Sequence, residues 1–197
     1  MRFNPTQNIN LRLSYSSGFR APQAFDEDMH IENVGGTVAM IERAKDLKEE
    51  KSQSFSVSAD MYHRFGAFQT NLLIEGFYTR LTDVFVLGKP YDRGDGILVK
   101  TRSNGPGAKV MGLTLEGKVA YLSILQIQAG LTLQRSRYDE PHKWHDDAPA
   151  EKKIFRTPDT YGYFTATCTP IKPLSIALSG TYTGRMLVQR MLSLIHI

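Results

Sequence analysis

Leu125-Gln126-Ile127-Gln128-Ala129-Gly130-Leu131-Thr132-Leu133-Gln134 alternates apolar with polar or small residues without a break. Successive side chains of an extended chain point to opposite faces. The stretch is therefore a ribbon with Leu125, Ile127, Ala129, Leu131 and Leu133 on its oily side and Gln, Gly and Thr on its wet side. Phe55, Val57, Ala59 and Met61 stand against Ser54, Ser56, Ser58 and Asp60 in the same way. A soluble sandwich also alternates, but its wet face is normally richer in Lys and Glu. Oily faces of Leu, Ile, Val and aromatics against Ser, Gln, Thr and Asn suit a barrel with lipid outside and water inside.

Working outward, five further ribbons follow the rule: Asn8–Ser16, Phe68–Leu87 (whose upper part, Val84-Phe85-Val86-Leu87, breaks the alternation and is expected beyond the bilayer), Ala108–Tyr121, Thr157–Thr169 and Leu174–Gly184. With Ser52–Arg64 and Leu125–Arg137 they make seven. The connections near residues 65, 123 and 171 are minimal, whereas those near 35, 95 and 147 are long and polar. Outer-membrane barrels place short turns on the periplasmic side and long loops outside. Within the first long connection, Ile41, Ala44, Leu47 and Lys48 have helical spacing and predict a short helix over Val38–Glu50. Lys89–Asn104, with Pro90, Gly94 and Gly96, reads as loop. Tyr15, Phe19, Tyr62, Phe65, Phe68, Tyr78, Tyr121, Tyr138, Tyr161, Tyr163 and Tyr182 fall near ribbon ends, where interfacial girdles belong. The fold expected is all-β, an antiparallel transmembrane β-barrel of which about seven strands are present.

Bulk composition excludes several classes. At 41% hydrophobic residues, no run reaches the ~18 apolar residues of a spanning helix. A net charge of +4 is spread among mixed signs, without the basic stripe that nucleic acid requires. The single Cys168 rules out an internal disulfide and any cysteine-based zinc site. Met1-Arg2-Phe3-Asn4-Pro5 lacks the apolar core of a secretory signal. The sequence therefore reads as a piece of a longer chain.

Tyr15-Ser16-Ser17-Gly18-Phe19-Arg20-Ala21-Pro22 resembles the stretch where a barrel strand of TonB-dependent receptors reaches the outer surface. Asp46-Leu47-Lys48-Glu49-Glu50-Lys51-Ser52 is similar to the family's lead into the following strand, and Glu75–Asp83 to its next ascending strand. Gly112-Leu113-Thr114-Leu115-Glu116 resembles its Gly-x-Glu-x-Glu strand start, with Thr114 in place of the first Glu. Thr157-Pro158-Asp159 and Tyr161–Pro170 resemble a late strand bounded by two Thr-Pro pairs. The pieces keep the family's order and spacing over about residues 8 to 185.

The resemblance implies seven consecutive strands from a plugged barrel of roughly 22 strands in a Gram-negative outer membrane. It implies a receptor that imports a scarce nutrient (ferric siderophore, cobalamin, haem or glycan), coupled through the N-terminal region to a TonB-type energy-transducing complex. Residues 1–187 are expected to be barrel. Residues 188–197 are expected to be a non-native tail, because Leu192-Ser193-Leu194-Ile195-His196-Ile197 abandons the alternation and resembles translated sequencing adaptor. Seven strands alone would leave two open edges in lipid, each unpaired backbone group costing several kcal/mol, so the piece by itself is expected to aggregate.

Arg12, Asp60, Arg64, Glu75, Glu116 and Lys118 fall on wet faces and are expected to line the lumen. Phe25, Tyr91, Arg93, Arg102, Trp144 and Arg156, aromatic or basic and in loops, are the candidates to touch an anionic metal chelate. His142-Lys143-Trp144-His145-Asp146-Asp147 has histidines three apart beside carboxylates, and reads as a solvated loop ahead of a metal or haem contact. Asp92-Arg93-Gly94-Asp95-Gly96 lacks the spacing and closing Glu of a calcium loop and reads as a plain turn. Asp26, Glu27 and Asp28 share a loop with no evident cause for a shifted pKa.

No cofactor and no bond chemistry are expected; the partners are membrane lipid, a small ligand and the energy-transducing complex. A membrane-embedded hydrolase would need a Ser/His or Asp/His pair aimed from adjacent strands, and of five histidines only His63 lies in a ribbon. The alternatives are a plug-less porin or surface adhesin, and a soluble ligand-binding β-sandwich.

Overall fold

A computed structural model describes residues 1–22, 39–94, 97–142 and 150–188. Its described elements are all strands: β1 (Arg2–Thr6), β2 (Ile9–Arg20), β3 (Ala39–Arg43), β4 (Glu50–Phe65), β5 (Phe68–Thr82), β6 (Phe85–Leu87), β7 (Tyr91–Asp92), β8 (Leu98–Asn104), β9 (Ala108–Tyr121), β10 (Leu125–His142), β11 (Glu151–Lys153), β12 (Thr160–Ile171) and β13 (Leu174–Thr183). The chain divides into two units. One holds Met1–Ser16, Ser54–Thr79 and Lys109 onward; the other holds Ser17–Gln53 and Arg80–Ala108.

The strands of the first unit belong to a sheet in the order β1-β2-β4-β5-β9-β10-β12-β13, with β11 paired to β10. All seven ribbons legible in the sequence are there, each beside its neighbour in chain order. The links at their short end are two or three residues. Gly66 takes φ 57°, which suits glycine, and Leu122 takes φ 50°, which an L side chain pays for in strain. Register in β10–β12 sets Ile127 opposite Ala166 and Gln128 opposite Thr165. In β12–β13 it sets Thr165 opposite Ser179 and Ala166 opposite Leu178. Paired residues share a face, so one side is continuously apolar and the other continuously polar.

Exposure runs opposite to that of a water-soluble protein. Leu113, Leu115, Ile127, Leu131 and Leu178 are exposed, while Asn10, Ser58, Thr132 and Ser136 are buried. A continuous bare apolar face of this size needs a non-aqueous partner, which lipid supplies. On that face the Tyr15–Phe55 rings pack 4.7 Å apart towards the long-loop end, and the Phe68–Tyr121 rings 4.7 Å apart at the short-turn end.

Glycine opens room for cross-strand aromatics. A Cβ on Gly112 would lie 2.5 Å from Phe77, and one on Gly130 2.5 Å from Tyr163. A ring lying over a strand glycine covers exposed backbone where the sheet bends. Tyr163 and Tyr161 lie opposite Gly130 and Thr132, on the polar face. Tyr62 follows Asp60 in alternation and donates to its carboxylate at 2.7 Å. These three tyrosines therefore stand on the polar face and not in a lipid-facing girdle, a correction to the reading by strand-end position.

The second unit carries a four-stranded sheet of β3, β8, β6 and β7. Ala39–Arg43 runs parallel to Leu98–Arg102, so strand replaces the helix expected over Val38–Glu50. The Lys89–Asn104 loop likewise contains β7 and β8. β5 stops at Thr82, Asp83 turns at φ 54°, and Phe85–Leu87 pairs with β8, so the ribbon read to about Leu87 is two strands that part where its alternation breaks. Val99 is fully buried at this sheet's centre.

Candidate functional site

The polar face of the first unit is the first candidate surface. Ser54 and Thr79 hydroxyls meet at 2.9 Å, and those of Thr114 and Thr132 at 3.0 Å. Glu116 accepts from Tyr163 at 2.6 Å and from Gln128 at 2.9 Å, while Gln128 also donates to the Tyr163 hydroxyl at 2.9 Å. Asn71 donates to Asp60. The bonds tie β4 to β5 and β9 to β10, reach across β10 from Tyr163 to Glu116, and hold the acids in fixed positions, as a wet interior with embedded charge requires.

All six residues expected to face the lumen, Arg12, Asp60, Arg64, Glu75, Glu116 and Lys118, fall on the polar face by alternation. Asp60 and Glu116 are bound into the networks above. Arg64, at the short end, donates to the Gly66 carbonyl at 3.4 Å, which secures its own turn. Arg12 stands opposite Arg2, whose Nε donates to Asn10 at 3.0 Å. Tyr163 and Gln128, absent from the expected set, are integral to the network; their register with Gly130 and Thr165 was the missing information.

The second candidate is the small sheet, described by itself. Tyr91 pairs with Val99 and Arg102 with Leu87 and Arg43. Val99 and Arg102 are three apart in β8, so Tyr91 and Arg102 fall on opposite faces. Arg93 forms an ion pair with Glu42 at 3.6 Å. The sheet thus brings Tyr91 and Arg93 into one neighbourhood and sets Arg102 apart. Arg156 belongs to the first unit, at a turn with φ 54°, where its N–H donates to the Leu187 carbonyl at 2.8 Å. Phe25, Trp144, His145 and the Asp26–Asp28 group lie outside the described residues, as does the side chain of His142. The carboxylate of Asp92 accepts from the Gly94 N–H at 2.7 Å, the plain turn expected of this segment's described part.

Beside Arg93's partner Glu42, residues Arg43, Ala44, Lys45, Leu47 and Pro22 complete a cavity of about 510 Å³. That size suits a small ligand. Sequence reading missed it, because β3 exists only through pairing with a segment more than fifty residues away. Asn104 anchors the surrounding chain: its amide donates to the carbonyls of Lys48 (3.0 Å) and Asp83 (2.8 Å), and its oxygen accepts from Lys48 N–H at 2.8 Å. Glu50 accepts from Arg20 at 3.3 Å and from the Phe85 N–H at 3.0 Å, with the Arg20 guanidinium 4.7 Å from the Phe85 ring centre. Among the described residues no three His, Cys, Asp or Glu side chains converge as metal ligands.

An antiparallel sheet with one lipid-facing and one polar, hydrogen-bonded side defines a segment of a transmembrane β-barrel. The family model for the TonB-dependent receptor-like β-barrel matches residues 1–186, and the chain belongs to that family. It is similar in structure to the FrpB iron transporter from Neisseria meningitidis, F3-3 variant, with TM-score 0.61 and 17% identity over 92% of this chain and 25% of that one. It is also similar to the copper transporter OprC, with TM-score 0.54 and 13% identity over 85% of this chain and 23% of that one. The chain thus spans about a quarter of the length of these transporters. No curated protein sequence matches it significantly. Its relatives are receptors and transporters, not enzymes.

Proposed function

We propose that the protein is part of the wall of an outer-membrane receptor in a Gram-negative cell, importing a scarce nutrient with energy from a TonB-type complex. The observation that carries the reading is the two-faced sheet, matched along nearly its whole length by the receptor barrel family. The cargo we favour is a metal chelate such as a ferric siderophore, with cobalamin and haem in the same class of import. The similar structures are of an iron transporter and a copper transporter, which accords with that choice. Tyr91 and Arg93, which the small sheet brings into one neighbourhood, would supply aromatic and cationic contacts to an anionic complex, and Arg102, Arg156, Phe25 and Trp144 are each separate candidates for such contact. The long loops would then face outward and the short turns the periplasm, with lumen charges guiding the cargo past the barrel wall.

The test is uptake of radiolabelled ferric siderophores, haem and cobalamin by cells that depend on the full-length protein. Accumulation of one of them, lost on dissipating the proton gradient or deleting the energy-transducing complex, is the expected result. Uptake indifferent to both would point to passive diffusion and overturn the proposal. Replacing Tyr91, Arg93, Arg102 and Arg156 with Ala should weaken binding of that cargo; unchanged affinity would remove them from the site.

A further inference from the structure

Beyond cargo import, the small sheet has one margin that is covered and one that is not. Among the described residues β3 lies at the end of the order β3-β8-β6 and pairs with β8 alone. In a parallel pair, alternate residues of a strand turn both N–H and C=O to the same side. The Ala44 N–H donates to the Arg102 carbonyl at 2.8 Å, so Met40 and Glu42 also turn towards β8. Ile41 and Arg43 therefore turn their backbone groups away from the sheet. The opposite margin is blunted. Gly88 and Gly105 donate to the Thr101 and Val84 carbonyls, which turns the Phe85 N–H outward, and the Glu50 carboxylate takes it at 3.0 Å. An uncovered row of backbone donors and acceptors is a template for a further strand.

Charge selects the occupant. Register partners share a face, so Arg43 opposite Arg102 sets two guanidiniums side by side, with Lys100 opposite Ile41 on that same face. Like charges so placed repel, and an acid laid beside them relieves the repulsion. The sheet does not supply that acid from its nearest candidates. Asp92, opposite Leu98, is engaged by the Gly94 N–H, and Glu42, on the other face, is paired with Arg93. Arg43 and Lys45 are exposed and make no ion pair among the described residues. Both line the 510 Å³ cavity at the end of β3, whose other walls include the apolar Pro22, Ala44 and Leu47.

We propose that the outer edge of β3 takes up an extended acidic peptide segment of another protein as an added strand. Backbone groups of Ile41 and Arg43 pair with the peptide main chain, and Arg43 and Lys45 hold a peptide Asp or Glu at the mouth of the cavity. Main-chain pairing supplies affinity in this mode of recognition, and side-chain pockets supply specificity. The guanidinium fork of Arg43 matches a carboxylate in geometry as well as in charge.

The full-length receptor, purified in detergent, is panned with a random heptapeptide library displayed on phage, in parallel with its Ile41→Pro variant. Proline at 41 removes an outward N–H and leaves the bonds to β8 in place, as an edge strand tolerates. Peptides with Asp or Glu among β-branched residues should be enriched on the parent and not on the variant. The enriched peptide, made synthetically, should bind about tenfold more weakly to Arg43→Gln/Lys45→Gln, the effect of losing one charge-assisted bond. Arg43→Lys/Lys45→Arg, which keeps both charges, should retain most of the affinity. Hydrogen exchange of the Ile41 and Arg43 amides should slow when the peptide is added. Heat-modifiable gel mobility and an unchanged proteolysis pattern within residues 80–108 confirm that each variant is folded. Equal enrichment on Ile41→Pro, or selection of neutral or basic peptides, overturns the proposal. So do Ile41 and Arg43 amides already slow without peptide, since the receptor's own chain or a second copy then holds the edge. Nutrient uptake is scored separately, so a receptor that binds peptide at β3 and imports no tested nutrient refutes the import reading alone.

Discussion

Gly130→Ala should destabilise the barrel although alanine is normally the better strand residue. The exchange alone would gain about 0.5–1 kcal/mol by restricting the unfolded chain. Here the new methyl would sit 2.5 Å from Tyr163 Cε1 and 3.1 Å from two further ring carbons. The ring must leave its position, at a rotamer cost of about 0.5–1.5 kcal/mol. Its hydroxyl then loses the 2.6 Å bond to Glu116 and the 2.9 Å bond from Gln128. A hydrogen bond to a charged group contributes about 1.5–3 kcal/mol, and the lower end applies because Tyr163 is 36% exposed and water can replace it. The net expectation is a loss of about 1–2 kcal/mol. The assay is the guanidinium unfolding midpoint of the full-length receptor in detergent, for Gly130→Ala, Tyr163→Ala and the double variant. In the Tyr163→Ala background the penalty should vanish, and Gly130→Ala should be neutral or stabilising. A Gly130→Ala protein as stable as its parent, or an equal penalty without the tyrosine ring, would refute the packing argument.

Three further outcomes follow from the same structure. Leu131→Arg, on the lipid face, should cost about 2–4 kcal/mol, and Thr165→Arg, exposed on the polar face, less than about 1 kcal/mol, in the same unfolding assay. Asn104→Ala removes three hydrogen bonds and leaves carbonyls of Lys48 and Asp83 without their donor; at about 2–3 kcal/mol of local stability lost, limited proteolysis should cut within residues 80–108 roughly 30- to 150-fold faster. Glu50→Ala should open the same segment more mildly, by about 1–2 kcal/mol, since it orphans the Phe85 N–H while its Arg20 partner is solvent-exposed; unchanged cleavage would remove Glu50 from that role.

The seven long strands were legible because each must present an unbroken apolar row to lipid, which stamps period two on the sequence. The small sheet obeys no such demand. Ala39–Arg43 is held by hydrogen bonds to Leu98–Arg102, and nothing local in Ile41, Ala44 and Leu47 distinguishes that strand from a helical turn. β1 and β11 are short and pair at the sheet's margin, where Phe3 and Lys153 give too few alternations to read. Tyr62, Tyr161 and Tyr163 differ from expectation for another reason: parity along the strand, and not nearness to its end, decides which face a side chain takes. The glycine–aromatic pairs needed register, which sequence alone does not carry. Of the candidate contacts, Tyr91 and Arg93 come together only through folding of the loop, while Arg102 faces away from them.

The central claim is that one face of this sheet meets lipid and the other water. Single cysteines at positions 126, 127, 128, 129, 131 and 133 of the full-length receptor, with Cys168 replaced by Ala, can be spin-labelled and reconstituted in lipid vesicles; 130 and 132 are left out because Tyr163 crowds Gly130 and Thr132 is buried. Relaxation by dissolved oxygen reports lipid and relaxation by a water-soluble nickel chelate reports water. Alternation is expected, with oxygen favoured at 127, 129, 131 and 133 and nickel at 126 and 128. Accessibility to nickel on both faces, or no period of two, would contradict it.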